Sequence, residues 1–184
     1  MKVVVGVTGA SGIIYAIRLL EVLQQQDVEV HLVFSEWAGH NLSYETNKSL
    51  AEIQALARHF YNNGELAAPI ASGSFRMDAM VVVPCSMKSL AAIAHGFSDS
   101  LIVRAADVML KERRKLILVP RESPLSVIHL GNMLAVAQAG AVILPPMPAF
   151  YGRPQTLDDV IDQTVARILD QLGLDNELSY RWGS

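Results

Sequence analysis

Near its N-terminus the chain reads KVVVGVTGASG (residues 2–12), and this stretch decides the fold. Its first half is rich in β-branched residues, which favour a strand because they pack well on a pleated surface. Its second half is a turn of small residues, and a helical periodicity begins directly after it. The stretch therefore predicts a strand, a tight turn and a helix, the opening unit of an α/β fold.

The same alternation of strands and helices continues along the chain. The strands are apolar on both faces, as in parallel sheets covered by helices on each side. We expect one domain over residues 1–184, with a three-layer, doubly wound parallel sheet of Rossmann-like (flavodoxin-like) type and ligand sites in the loops at the carboxyl ends of the strands. The predicted strands are Lys2–Thr8, Glu29–Phe34, Met80–Val83, Lys115–Val119 and Ala141–Leu144, and the predicted helices are Ile13–Gln25, Glu36–Tyr44, Leu50–Tyr61, Ser89–His95, Leu101–Glu112, Leu125–Ala139 and Leu157–Leu172.

Composition narrows the functional classes. The chain has 184 residues, a formal net charge of −3 and 51% hydrophobic residues. This charge balance does not indicate the basic surface that would bind nucleic acid or an acidic membrane. The high apolar share favours a homo-oligomer whose contacts bury the excess surface, and a monomer with fully buried strands is the alternative. No apolar run is long enough to span a bilayer and the N-terminus does not resemble a signal peptide, so we expect a cytoplasmic protein.

The cysteine and the histidines indicate no disulfide framework and no metal. Cys85 is the single cysteine, and the five histidines are scattered without metal-ligand spacing. Cys85 follows a strand directly, so it is either a nucleophile or a small buried residue, and packing is the favoured interpretation because no base is evident beside it.

The turn Gly9–Gly12 is the first candidate site. Small residues allow the backbone to approach an anion closely, and the N–H groups at a helix start attract negative charge. An ordinary N-cap with glycines for the turn is the alternative. A nicotinamide enzyme is a further alternative, because Gly6, Gly9 and Gly12 match part of a dinucleotide-binding fingerprint. Tyr44 and Lys48 have the YxxxK spacing of short-chain dehydrogenases, but this pair lies too early in the fold.

Several other polar residues, in the carboxyl-end loops and on two helices, each have two possible interpretations. Arg121-Glu122 follows a strand and is either an acid–base pair or a solvated ion pair. Arg104 and Lys111 are seven residues apart on one helix and share a face, which fits either phosphate binding or a surface stripe. Tyr151, in a long proline-rich loop, and Arg167, on the last helix, are binding or structural residues.

Taken together, these segments resemble the flavin prenyltransferases, the UbiX and phenylacrylic-acid-decarboxylase-associated family. The resemblance extends from Met1 to about Gly173, and its long motifs are VGVTGASGIIYAIRLL, PCSMKSLA, RAADVMLKERRKL with PRE, and PPMPAFY. The segments SFR, PCSMKS and PPMPAFY are most similar to those of the family branch that accompanies phenolic-acid decarboxylases. The resemblance implies a homo-oligomeric flavoprotein, assembled as a homododecamer with sites between subunits.

The resemblance also implies the reaction. Reduced FMN is a substrate rather than a permanent cofactor, and the dimethylallyl group of dimethylallyl phosphate joins its N5 and C6 atoms. The product is prenylated FMN, which serves a partner decarboxylase of the UbiD type, and no metal is needed. Two rivals remain: an FMN-dependent decarboxylase of the phosphopantothenoylcysteine type, and a non-catalytic carrier or chaperone of FMN.

Roles carry over from the family by motif. Those implied to hold FMN are Gly9, Ala10, Ser11, Ser35, Ser86, Met87, Lys88, Ser89 and Arg121. Those implied to hold dimethylallyl phosphate are Arg104, Lys111, Tyr151 and Arg167. Glu122 and Glu45 are implied as acid–base groups, and Ser11 as a proton relay toward Glu122.

Three positions depart from the family pattern: Glu36 adds a negative charge near the flavin end, Asn47 follows the YET motif, and Gly131 replaces a usual Glu. They bear on cofactor affinity and assembly strength, and none of them touches the residues implied to hold the substrate phosphate.

Overall fold

A computed structural model describes residues 1–183 and contains one sheet of six parallel strands. The strands are β1 (Lys2–Val7), β2 (Glu29–Phe34), β3 (His59–Asn62), β4 (Ala79–Cys85), β5 (Lys115–Pro120) and β6 (Val142–Ile143). Their order in the sheet is β3-β2-β1-β4-β5-β6. The order reverses between β1 and β4, and ligands of doubly wound sheets bind at such a reversal.

Helices cover both faces of the sheet, which gives the predicted three layers. The helices are α1 (Ile13–Gln25), α2 (Glu36–Glu45), α3 (Leu50–Gln54), α4 (Met87–Ala94), α5 (Leu101–Lys111), α6 (Val127–Gln138) and α7 (Leu157–Leu172). Alternate residues of β1 enter opposite cores: Val3 and Val5 pack with α1, α2 and α7, whereas Val4 packs with α4 and α5. These strand residues are all apolar because helices cover both faces of the sheet.

One predicted element, the helix over Leu50–Tyr61, is wrong in its second half. The helix ends at Gln54, and residues 59–62 form the edge strand β3 instead. Main-chain pairing with β2 places His59 beside His31 and Tyr61 beside Val33, so a tertiary contact overrides the local helical pattern. The five predicted strands alone have the flavodoxin order 2-1-3-4-5, and β3 extends it to the Rossmann order 3-2-1-4-5-6.

The other elements match the prediction within two residues at each end. Among residues 1–183 we find no helix that is both long and apolar enough to cross a membrane.

Thr8, just past β1, joins the two central loops at the strand reversal. Its buried hydroxyl donates to the carbonyl of Pro84 (2.7 Å) and accepts from the backbone N–H of Ser86 (2.8 Å). These bonds hold the turn after β1 against the end of β4. The two loops therefore form one rigid floor at the carboxyl edge of the sheet.

Candidate active site

A polar cleft opens at this carboxyl edge, above β1 and β4. Its volume is ≈ 340 Å³, which lies within the range of pockets that hold small cofactors. The turn after β1, the start of α2 and the first turns of α4 and α5 surround it. The lining residues are Thr8, Gly9, Ser35, Glu36, Trp37, Asn63, Ser86, Lys88, Ser89, Ala92, Asp99, Ser100 and Val103.

Three serine hydroxyls line the cleft at the N-termini of α2 and α4. Ser35 Oγ accepts from the N–H of Ala38 (3.1 Å), and Ser86 Oγ accepts from the N–H of Ser89 (3.2 Å) and donates to Ser89 Oγ (3.1 Å). Capping fixes these hydroxyls at helix ends whose dipoles attract negative charge. The cleft therefore offers fixed hydroxyl groups and helix N-termini to an anionic ligand.

The remaining predicted cofactor residues lie at the same edge but differ in access. Gly9 and Lys88 line the cleft. Gly9 is constrained by α2, since a Cβ there would lie 2.4 Å from the Cβ of Trp37. Ala10 is buried, Ser11 is exposed, and Met87 is half-buried at the start of α4; Arg121 is exposed just after β5, with its N–H 3.3 Å from the carbonyl of Cys85.

The cleft also contains two carboxylates and one ammonium group. Glu36, in the first turn of α2, and Asp99 line it together with Lys88. Glu36 is one of the departures from the family pattern, and the structure places it beside the serines. Negative charge on this wall opposes the binding of an anionic cofactor.

Glu45 lies at the N-terminus of α1, where the sequence predicted an anion cradle. Its Oε2 atom accepts from the backbone N–H groups of Gly12 (2.9 Å) and Ile13 (3.0 Å). These amides therefore bind an anion, but it is a carboxylate of the chain itself. Glu45 is thereby held at the end of the turn that contains Ser11.

Tyr15, on the first turn of α1, lies near Arg121 and next to a pocket that contains two more of the predicted residues. The phenol of Tyr15 is partly buried, which raises its pKa, while the nearby charge of Arg121 and a hydrogen bond with Thr164 oppose that shift. Thr164 also lines a pocket of ≈ 200 Å³ with Tyr151 and Arg167. Thr164 is therefore a neighbour both of Tyr15 and of the pocket that contains the two residues implied to bind the substrate phosphate.

Arg104 and Lys111 lie elsewhere. The guanidinium of Arg104 donates to Asp107 (2.8 Å) and to the carbonyl of Ala71 (3.1 Å), and Lys111 Nζ donates to Glu112 (2.7 Å). Neither lines the cleft or the Tyr151 pocket. Lys111 ends α5 at the opposite, amino edge of the sheet, about 10 Å along the helix from Arg104. Within one chain these cations are therefore separated from Glu45 and Tyr151.

Glu122 and Cys85 have contrasting environments near the ends of β5 and β4. Glu122 is exposed, and its Oε1 accepts from the N–H of Ser123 (3.0 Å). Cys85 is fully buried, and burial raises the pKa of its thiol to about 12. Such a thiol is not a nucleophile at neutral pH, so the packing interpretation of Cys85 is confirmed.

Sequence reasoning missed Thr8, Tyr15, Asn63 and Asp99. Asn63 supports the cleft by accepting from the N–H groups of Leu101 (2.8 Å) and Ile102 (2.9 Å) at the start of α5. It follows β3, which the sequence assigned to a helix, so its place at the carboxyl edge was hidden. Thr8 had a usable signal: it is the first polar residue after an apolar parallel strand.

Comparison with known proteins agrees with this geometry. The family model described as Flavoprotein matches residues 1–169. The flavin prenyltransferase LpdB of Lactiplantibacillus plantarum is 56% identical over 182 residues, with 98% of this chain and 97% of the relative covered. The chain is thus a flavoprotein of α/β architecture.

Two solved structures define the family further. AnUbiX (PadA1) in complex with FMN and dimethylallyl pyrophosphate has a TM-score of 0.97 at 54% identity, covering 100% of this chain and 97% of the other. The dodecameric FMN-dependent UbiX-like decarboxylase of Escherichia coli O157:H7 has a TM-score of 0.98 at 52% identity, covering 100% of both chains. The protein belongs to the flavin prenyltransferases and is an enzyme that transfers a prenyl group. The peptidyl-cysteine decarboxylase EpiD shares the fold alone, at 16% identity and a TM-score of 0.65.

Proposed function

We propose that the enzyme joins the dimethylallyl group of dimethylallyl phosphate to reduced FMN and releases prenylated FMN. The observation that carries the proposal is the cleft at the strand reversal, lined by Ser35, Ser86 and Ser89; the carboxylate of Glu45 is bound at Gly12, where the adjoining turn after β1 ends. A relative of 54% identity has been solved with FMN and dimethylallyl pyrophosphate. A monophosphate donor is the proposed substrate.

The cleft residues fit FMN. Its phosphate and ribityl hydroxyls need several donors, and the cleft provides four serine hydroxyls at three helix N-termini, those of Ser35, Ser86, Ser89 and Ser100. The N-terminus of α1 is excluded as a phosphate site while Glu45 occupies its amides. In this proposal the turn Gly9–Ser11, with Met87, Lys88 and Arg121, completes the flavin site.

Reduced FMN, as substrate, would supply the nucleophile: N5 would replace the phosphate at the allylic carbon and lose its proton, and C6 would add to the alkene, which gains a proton at its other carbon while C6 loses one. The chain's task is to hold the leaving phosphate and stabilise its growing charge. Arg104, Lys111 and Arg167 carry the positive charges for this, and Tyr151 adds a hydroxyl donor. Glu122 protonates the departing phosphate or accepts the flavin proton, with Glu45 as the second carboxyl group and Ser11 as the relay.

The proposed phosphate site is assembled from several subunits. One chain holds Arg104 and Lys111 away from Tyr151 and Arg167, so a neighbouring copy must supply one of the two groups. Helix α6 offers an interface: Val127 is 84% and Ile128 74% exposed, although the helix is mostly apolar. Exposed apolar surface of this extent is typical of subunit contacts. We propose a homo-oligomer, with the dodecamer of the E. coli relative as its form.

In the cell, the proposed recipient of prenylated FMN is a decarboxylase of the UbiD type. A cytoplasmic location is also proposed, because the one cysteine is buried without a disulfide partner. The proposed step uses no metal, since cationic side chains take the role of a Lewis acid at the phosphate.

The test is to mix the protein with reduced FMN and dimethylallyl phosphate without oxygen, and to weigh the released flavin. A mass gain of one dimethylallyl unit is expected, with release of inorganic phosphate. Glu122→Gln should bind FMN but form product slowly, whereas Glu177→Gln, an exposed control, should behave as the parent. Unchanged flavin from the folded protein would overturn the proposal; product from the pyrophosphate alone would correct the donor.

A further inference from the structure

Two histidines and a glutamate meet at the amino half of the β2–β3 edge. The cleft lies at the opposite, carboxyl end of these strands. His31 on β2 and His59 on β3 are register partners, and their ring centroids are 4.3 Å apart. Glu29, two residues before His31, points its side chain to the same face of the sheet. Its Oε1 lies 3.2 Å from His31 Nε2 and 3.7 Å from His59 Nε2.

These spacings suit a shared metal ion. Ligand atoms 2.0–2.1 Å from a tetrahedral zinc ion are about 3.4 Å apart from each other. Two of the separations already lie near that value, and the nearest ligand atoms of all three residues are within 4.8 Å of one another. The exposed His59 ring is free to close the remaining gap, because it sits on the short edge strand.

The surroundings prepare His31 as a ligand. Its side chain is only 2% exposed, so the surrounding side chains hold its ring in place. Its Nδ1 atom lies 3.1 Å from the hydroxyl of Tyr61, and Phe75 packs edge-on against the ring. The Tyr61 hydroxyl can donate to Nδ1 in the metal-free form and accept from Nδ1–H when Nε2 is coordinated. Such a partner orients metal-ligating histidines in known sites.

We propose that Glu29, His31 and His59 form a Zn²⁺ site, with a water molecule as the fourth ligand. Two imidazoles and one carboxylate are a donor set that zinc prefers. The ion would clamp the four-residue edge strand β3 onto β2 and so stabilise that edge. The site is separate from the prenyl-transfer cleft and does not depend on the reaction proposed above.

Lys2 is the competitor for this site. Its Nζ atom lies 3.2 Å from Glu29 Oε1, the same oxygen that faces both histidines. Its side chain is 46% exposed and is able to turn toward solvent when the ion binds. Removing the ammonium should therefore tighten zinc binding, an effect that a simple surface histidine would not produce.

The experiment is calorimetric titration of untagged, metal-free protein with Zn²⁺ at pH 7.5, with Co²⁺ absorbance as the test of tetrahedral geometry. One ion per chain is expected. His59→Gln and Glu29→Gln should each weaken binding at least tenfold, as loss of even an outer partner costs about 10- to 100-fold. Lys2→Met should tighten it several-fold, and His95→Gln, which removes an exposed histidine elsewhere, should leave it unchanged.

Zinc should also raise the melting temperature of the parent protein but not that of His59→Gln. FMN affinity should be the same with and without zinc, which separates this site from the cleft. Absence of saturable binding, or equal affinity in the parent and His59→Gln, would overturn the proposal; so would binding only at millimolar zinc.

Discussion

The carboxylate of Glu45 occupies the backbone amides of Gly12 and Ile13, at distances of 2.9 and 3.0 Å. Gly12 caps α1 in a left-handed conformation (φ 111°) and provides no side-chain cap, so Glu45 takes that role from 33 residues away. This bond joins the end of α2 to the start of α1. It also fixes the side chain of Glu45, a proposed acid–base group, at the end of the turn after β1.

Replacing Glu45 should therefore affect both stability and catalysis. In Glu45→Ala, the loss of this cap should lower the free energy of unfolding by about 1 kcal/mol. Glu45→Gln keeps one acceptor oxygen and should lose less stability, yet it should still slow prenyl transfer. Denaturant unfolding and single-turnover assays measure the two effects, with Glu177→Gln as the control. Full activity in a stably folded Glu45→Gln would remove Glu45 from acid–base chemistry.

Cys85 should make the protein sensitive to alkaline pH. The unfolded thiol releases its proton above a pKa of about 8.5, whereas the buried thiol keeps it up to about 12. The unfolded state therefore binds fewer protons over that window, and the free energy of unfolding falls as pH rises.

Between pH 8.5 and 10 this effect amounts to about 2 kcal/mol, and Cys85→Ala should remove it. Unfolding curves of both proteins at the two pH values provide the comparison. A thiol reagent should label Cys85 only after denaturant is added. Rapid labelling of the native protein, or identical pH dependence in Cys85→Ala, would contradict the buried thiol.

Glu36 should weaken FMN binding by its charge. Glu36 lines the cleft, and a carboxylate within about 10 Å of an anionic ligand costs about 1 kcal/mol at an intermediate effective dielectric. Glu36→Gln should then bind FMN about fivefold more tightly, since 1.4 kcal/mol is tenfold. Flavin fluorescence titrations at low and high salt test this, because screening should shrink the difference. Glu65→Gln serves as a control outside the cleft, and a gain that ignores salt would argue against a charge effect.

The sequence predicted features that depend on neighbouring residues more accurately than features that depend on residues far apart in the chain. The strand, turn and helix at residues 2–25 depend on neighbouring residues, and their bounds were correct to one residue. The strand β3 depends on pairing with β2, some 28 residues earlier, so its local pattern was misleading. The anchoring of Glu45 and the pairing of His31 with His59 were invisible for the same reason. The fixed order of carboxyl-end loops still located Ser35, Ser86 and Ser89 correctly at one cleft.

Helix α6 should be a contact between subunits. Only Asn132 and Val136 are buried in this largely apolar helix, and a Cβ built on Gly131 meets no atom within 4 Å. A charge buried in an apolar interface is costly, so Ile128→Glu should dissociate the assembly. Sedimentation measures the change, and Leu66→Glu is the control on another surface. Unchanged sedimentation of Ile128→Glu would exclude α6 from the interface.

Subunit mixing tests whether the proposed phosphate site is shared between chains. Lys111→Ala and Glu122→Gln should each be nearly inactive alone. If a site takes Lys111 from one chain and Glu122 from another, random co-assembly of the two variants leaves about a quarter of the sites intact, and activity returns. If both residues belonged to one chain, every site would keep one defect.

The matched control is Lys111→Ala mixed with Arg104→Ala, because α5 carries both residues and each helix would still hold one substitution. We expect activity to return in the first mixture but not in the second. If activity returns in neither mixture, although mass measurements verify mixed oligomers, one chain supplies both Lys111 and Glu122.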